Sequence, residues 1–190
     1  MFNEVFTNPH HRTGWIEVIS GCMFSGKTEE LIRRLNRARY ANQKFEVFNS
    51  KIDTRSGKNR IHSHDETSIT SLPAASAIDI LKKTVYPEVI GIDEGQFFDK
   101  ELPMVCKTLA AKGIRIIVAG LDMDFMGKPF GPMPALMAIA ESITKLHAIC
   151  LQCGNPALFS HRKKNVKSQV LVGASELYEP LCRKCYNEVI

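Results

Sequence analysis

Gly21-Cys22-Met23-Phe24-Ser25-Gly26-Lys27-Thr28 fits G-x-x-x-x-G-K-[ST], and its setting decides the fold. Immediately before it, Trp15-Ile16-Glu17-Val18-Ile19-Ser20 is rich in β-branched residues and follows Gly14, which reads as a strand. Immediately after it, residues 28–41 place Leu31, Ile32, Leu35 and Ala38 on one face at 3.6-residue spacing. Glu29 and Glu30 open that helix, and Arg33, Arg34, Arg37 and Arg39 come later, an order that complements the helix dipole. Strand, glycine loop and helix are the context a phosphate cradle needs. The glycines let backbone N–H groups turn toward phosphate oxygens, Lys27 adds a point charge, and Thr28 offers a hydroxyl to Mg²⁺.

Further along, Phe45-Glu46-Val47-Phe48, Glu88-Val89-Ile90-Gly91-Ile92-Asp93 and Arg115-Ile116-Ile117-Val118-Ala119-Gly120 read as buried strands, and residues 144–150 as a last one. Helices are expected at 100–112, with Leu102, Val105, Cys106 and Leu109 inward, and at 135–141, after Pro129, Pro132 and Pro134 break the chain. Residues 53–66 have no apolar periodicity and read as a long polar loop. Short apolar strands alternating with helices imply an α/β fold, a parallel sheet covered on both faces.

The third strand ends in Asp93 and Glu94. Ligands of such sheets lie at the carboxyl ends of the strands, so Asp93 is expected at the Mg²⁺ site and Glu94 within reach of a nucleophile. Phosphoryl transfer asks for little more than positioning, charge neutralisation and an acceptor for one proton. Asp93-Glu94-Gly95-Gln96 also matches the D-E-x-Q box of nucleic-acid helicases. A nucleic-acid-stimulated ATPase with a zinc-ribbon anchor is therefore the alternative, although 190 residues hold one sheet domain where a helicase core needs two.

The cysteines divide. Cys150-x-x-Cys153 and Cys182-x-x-Cys185 bracket a 28-residue segment, and two tight pairs of this kind read as a tetrahedral, closed, structural zinc site. The composition turns polar and basic at Cys150. The expected division is an N-terminal extension at 1–14, a P-loop α/β domain at 15–149 and a zinc-binding domain at 150–190. Residues 1–14 carry no apolar core of a secretory signal, and no apolar run reaches the roughly 18 residues of a spanning helix. With 44% hydrophobic and 24% charged residues the composition is that of a globular protein, which excludes a disordered or fibrous chain; the net charge of +5 suits phosphate handling without indicating DNA.

Weaker signals stay open between two readings. Asp53-Thr54-Arg55 is a turn with an exposed ion pair on pattern alone. His62-Ser63-His64-Asp65 contains H-x-H but no further ligand cluster. His161 to Lys167 is a basic run, a solvated face or a phosphate patch. Phe97, Phe98, Phe125 and Phe130 follow strand ends, as core, lid or a base-stacking wall. Cys22 places a thiol inside the P-loop.

GCMFSGKTEEL, DTR, GIDEGQFF, AGLDMDFMGKPFGP and GASELYEPLCRKCY occur in this order, together with the cysteine pairs. In this the chain resembles the zinc-containing thymidine kinase family from about Trp15 to Tyr186. The resemblance implies a RecA-like P-loop domain followed by a small zinc domain with a lasso loop. It implies transfer of the γ-phosphoryl of ATP to the 5′-hydroxyl of thymidine, with Mg²⁺ accompanying ATP and structural Zn²⁺ on Cys150, Cys153, Cys182 and Cys185. It further implies Glu94 as proton acceptor, and Gly21, Cys22, Met23, Phe24, Ser25, Gly26, Lys27, Thr28, Asp53, Arg55, Asp93 and Gln96 at the ATP and Mg²⁺ site.

By the same resemblance Met23, Phe97, Leu121, Phe125 and Phe130 line the base pocket. Ser160 lies near the thymine methyl, Gln169, Val170, Leu171, Val172 and Gly173 pair with the base through their backbone, and Tyr178 caps the pocket. A cytoplasmic homotetramer, inhibited by thymidine triphosphate and acting without nucleic acid or membrane, is implied as well. The chain departs from the family pattern at Met126, where arginine is common, and at Cys22, where a small residue or proline is.

Overall fold

The computed structural model describes residues 13–51, 60–62, 68–163 and 177–189. Its centre is a six-stranded sheet of β1 (Ile16–Gly21), β2 (Phe45–Ser50), β5 (Leu72–Ala74), β6 (Val89–Asp93), β7 (Arg115–Gly120) and β8 (Ser142–Leu146). The spatial order is β5-β2-β6-β7-β1-β8, and every neighbouring pair is parallel. This is the α/β fold the alternation implied.

Both faces are covered. Ile16, Val18, Ile90, Ile92, Ile116 and Val118 point to one side, into a core shared with α2 (Ala77–Lys83), α3 (Leu102–Ala110) and α4 (Met133–Ile139). The alternate residues Ile19, Val89, Ile117 and Ala119 point to the other, against Leu31, Ile32, Leu35 and Ala38 of α1 (Lys27–Tyr40). The period-two alternation of strands buried on both faces is what makes each of them read as a continuous apolar run. Leu31, Leu35 and Ile32 are each almost wholly buried, worth roughly 1.5–3 kcal/mol apiece.

One charge sits in this second core. Glu17 of β1 pairs with Arg34 at 2.6 Å and Arg115 at 2.6 Å, and accepts from the Trp15 indole at 2.7 Å. Burial alone would raise its pKa, but Arg115, Trp15 and Arg34 outweigh that and hold it below the ordinary value. Arg34 also donates to Thr144 at 2.8 Å, so the helix that follows the phosphate loop is tied to the edge strand β8.

The remaining described strands are β3 (Arg60–His62), β4 (Ser68–Thr70), β9 (Ala148–Ile149), β10 (Pro156–Ala157), β11 (Phe159–Arg162) and β12 (Tyr178–Leu181), and α5 (Arg183–Asn187) ends the described chain. Three expectations need correction. The polar loop at 53–66 contains β3, which pairs with β4 and sinks Ile61 and Ile69 into the α1 core. The single last strand at 144–150 is two: β8 stays in the main sheet, and beyond His147 β9 turns to pair with β10. A short helix, α2, was not foreseen; Ser76 caps it by accepting from Asp79 N–H at 3.3 Å.

Candidate active site

The phosphate loop leaves β1 at Gly21 and enters α1 at Lys27. Gly26 takes φ 82°, a left-handed conformation open to glycine, and this lets the chain turn straight into the helix. Phe24 adopts φ 64°, which is uncommon for a side chain of its size. The loop is braced from within: Ser25 Oγ donates to the Cys22 carbonyl at 2.8 Å, and Lys27 Nζ donates to the same oxygen at 2.7 Å.

Asp93 ends β6, and β7 alone separates β6 from β1 in the sheet. Thr28 Oγ1 lies 3.1 Å from Asp93 Oδ2, so hydroxyl and carboxylate meet where the sequence placed them. Asp93 is buried, and burial raises its pKa to about 7; the charge of Glu94 pushes in the same direction, while the Glu94 N–H, Thr28 and Lys27 pull it back only in part. The surrounding protein likewise lowers the pKa of Lys27, against the charges of Glu94, Cys22, Asp93 and Asp122. A buried carboxylate with an incompletely balanced charge, beside a hydroxyl, is a hard oxygen donor set that fits Mg²⁺.

Glu94 turns the chain at φ 52°, into a single 3₁₀ turn at Gly95–Phe97. Its carboxylate accepts a close hydrogen bond from the Gln96 side-chain amide, and Gln96 Oε1 accepts from Leu121 N–H at 2.9 Å. Phe97 and Phe130 meet edge to face, centroids 5.9 Å apart, so two of the expected pocket walls are in contact.

The four cysteine sulfurs lie within 4.8 Å of one another. A tetrahedron of Zn–S bonds near 2.3 Å has edges of about 3.8 Å, so the cluster fits zinc with small adjustment. Its surroundings reach further than the sequence suggested. Cys22 is buried in one apolar cluster with Cys150, Cys182, Cys185, Ala157, Phe159 and Tyr186, its thiol 3.3 Å from the Ala157 carbonyl. Burial raises the Cys22 pKa, which favours the protonated thiol. Ser160 Oγ accepts from Met23 N–H at 2.9 Å. The phosphate loop and the cysteine-bearing ribbon are therefore packed as one body.

Tyr178 is buried opposite Arg162 in β11–β12, and its Oη accepts from Arg162 at 2.8 Å. The same guanidinium lies over the Phe125 ring, 3.6 Å from its centroid. Within the basic run, Arg162 is thus interior and His161 faces Glu179 at 3.0 Å, which leaves little of the described part as an open patch. Met126 is half exposed. Asp53, Arg55, Gln169, Val170, Leu171, Val172 and Gly173 lie outside the described residues.

Two groups were missed. Asp122 follows β7 as Asp93 ends β6, is buried, and pairs with Lys145 at 2.6 Å close enough to Lys27 to act on its charge. The rule that pointed to Asp93 would have found it. In the sequence Arg162 reads only as one of a run of charges.

A parallel sheet with a phosphate loop facing an acidic pair defines a P-loop nucleotide-binding protein. Comparison with known proteins narrows the class. The family model described as thymidine kinase matches residues 14–186. The chain is 54% identical over 190 residues to a thymidine kinase of Bacteroides fragilis (strain YCH46), covering all of this chain and 96% of that one. It is 55% identical over 186 residues to that of Bacteroides thetaiotaomicron (98% and 94% covered), and 54% over 174 residues to that of a Rhodothermus species (92% and 82% covered). The chain belongs to the thymidine kinase family, and is a nucleoside kinase. Nothing in these comparisons favours the nucleic-acid-stimulated ATPase.

Proposed function

We propose that the protein transfers the γ-phosphoryl group of ATP to the 5′-hydroxyl of thymidine, giving thymidine monophosphate and ADP. The observation that carries this is the meeting of Lys27 and Thr28 of the phosphate loop with Asp93 and Glu94, in a chain this similar to thymidine kinases over its whole length. The loop's N–H groups and Lys27 hold the triphosphate, so that Lys27 exchanges the Cys22 carbonyl for phosphate oxygens. Thr28 and Asp93 hold Mg²⁺, which when bound neutralises charge on the phosphates. Glu94 accepts the proton of the 5′-hydroxyl as the bond to phosphorus forms. Met23, Phe97, Leu121, Phe125 and Phe130 supply apolar walls for the base, and Tyr178 closes them.

The division at 15–149 and 150–190, structural zinc on the four cysteines, the roles of Asp53, Arg55 and residues 169–173, a cytoplasmic homotetramer and inhibition by thymidine triphosphate complete this reading. No helix among the described residues is long and apolar enough to cross a membrane.

A panel of nucleosides with ATP and Mg²⁺, scored for monophosphate, tests the proposal. Turnover of thymidine and deoxyuridine with little of deoxycytidine is expected, and Glu94→Gln is expected to bind ATP but lose most turnover. No turnover of any nucleoside sinks the substrate assignment. Full activity in Glu94→Gln sinks the role of Glu94.

A further inference from the structure

We propose that Gln96 is the positioning residue of the proton acceptor: it fixes the Glu94 carboxylate in register with Leu121, a wall of the base pocket. This rests on Glu94 being the proton acceptor. The orientation of the Gln96 amide follows from chemistry. Leu121 N–H can only donate, so the Gln96 oxygen must face it, 2.9 Å away, and the NH₂ group must face the Glu94 carboxylate oxygen. A serine, a lysine or an apolar residue at 96 could not bridge a donor on one side and an anion on the other in the same way.

Gln96 is also enclosed. It is 2% exposed, and its surroundings are made of backbone where a side chain would intrude. A Cβ at Gly120 would lie 2.8 Å from Gln96 Oε1, and one at Gly131 would lie 2.3 Å from the Gln96 carbonyl oxygen. Gly120 thus leaves room for this side chain, and Gly131 for the main chain of the same residue. Glu94 itself sits at φ 52°, a conformation uncommon outside glycine, which aims its side chain back over the 3₁₀ turn toward Gln96. A carboxylate that must take a proton from a bound hydroxyl has to be held within a few tenths of an ångström, and a bond to a buried, doubly anchored amide does that.

Among the described residues, Glu94, Asp93 at the end of β6 and Lys27 at the start of α1 act on one another's charge, and Asp122 after β7 acts on that of Lys27. Gln96→Leu removes both hydrogen bonds and should lower kcat about 10–100-fold while leaving the KM for ATP within roughly twofold. Gln96→Glu keeps the acceptor for Leu121 N–H but sets a second carboxyl against Glu94. It loses the donor to Glu94 while the shape is kept, so kcat should again fall about 10–100-fold with the KM for ATP within roughly twofold. In a Glu94→Gln background, Gln96→Leu should cost less than about twofold, since there is no carboxylate left to orient.

Wild-type kcat in Gln96→Leu overturns the proposal. So does an equal loss in both backgrounds, or a loss of ATP affinity as large as the loss of kcat, which is what a collapse of the 3₁₀ turn alone would give. If Gln96→Leu does not fold, Gln96→Glu decides alone: wild-type kcat refutes the role. If Glu94→Gln is fully active, the proton-acceptor reading fails. If Glu94→Gln is inactive and both Gln96 variants behave as wild type, only the present proposal fails.

Discussion

Replacing Asp93 by asparagine should stabilise the nucleotide-free protein, and more so as the pH rises from 5.5 to 8. The carboxyl has an ordinary pKa of 3.8 and is raised to about 7 in the fold, first by burial and then by Glu94. The folded protein therefore keeps a proton that the unfolded chain gives up near pH 4. A raised acid contributes most to stability below its unfolded pKa, and that contribution is lost as the pH climbs through the folded value. At 1.36 kcal/mol per unit of differential proton affinity, the loss between pH 5.5 and 8 is roughly 2 kcal/mol, and it levels off above about pH 7. Asparagine carries no such penalty and can still take the Thr28 hydroxyl.

The assay is urea unfolding of both proteins at several pH values, without nucleotide or divalent cation. Groups remote from Asp93 cancel to first order in the difference, whereas Lys27, which feels the Asp93 charge, does not. A stability difference that stays constant across this range would refute the claim that Asp93 is held against its charge. On the proposed role of Asp93 as a Mg²⁺ ligand, the ion should bind more weakly below pH 7, where it has a proton to displace.

Two other predictions concern the junction between the phosphate loop and the ribbon. Ser160→Ala strands Met23 N–H, a loss worth about 1–3 kcal/mol when the group stays away from water; titration calorimetry should show weaker ATP binding in Ser160→Ala and near-normal binding in Ser160→Thr, and unchanged ATP affinity in the alanine variant would refute the link. Metal analysis should find one zinc per chain, and stripping it with a thiol reagent and chelator should weaken ATP binding along with nucleoside binding, because Cys22 shares its apolar cluster with three of the cysteines. If stripped protein bound ATP normally, the loop would not depend on that cluster.

What the sequence made legible was whatever is encoded in a contiguous stretch. The strand, glycine loop and helix at 15–41, the apolar runs of β6 and β7 and the paired CxxC motifs each carry their own pattern. The hairpin of β3 and β4 did not, because single apolar residues, Ile61 and Ile69, are all that each strand sends into the core. Ser76 with Asp79 three residues on was a readable helix start for α2 that the apolar-face criterion passed over. The bridge from Glu94 through Gln96 to Leu121 depends on an N–H twenty-five residues away, and no local pattern records it.

Cys22 makes the same point about function. Within the P-loop motif it occupies an unspecified position, one that any residue satisfies. In the fold its backbone carbonyl receives Lys27 and Ser25, while its side chain enters the cluster around the cysteine site. One face of the residue belongs to the phosphate cradle and the other to the metal-binding ribbon. A free choice in the motif is thus a constrained position in the structure. The ribbon therefore does more than carry the four cysteines. Through Cys22 and Ser160 it packs against the phosphate loop, so the shape of that loop and the packing around the cysteines are set together.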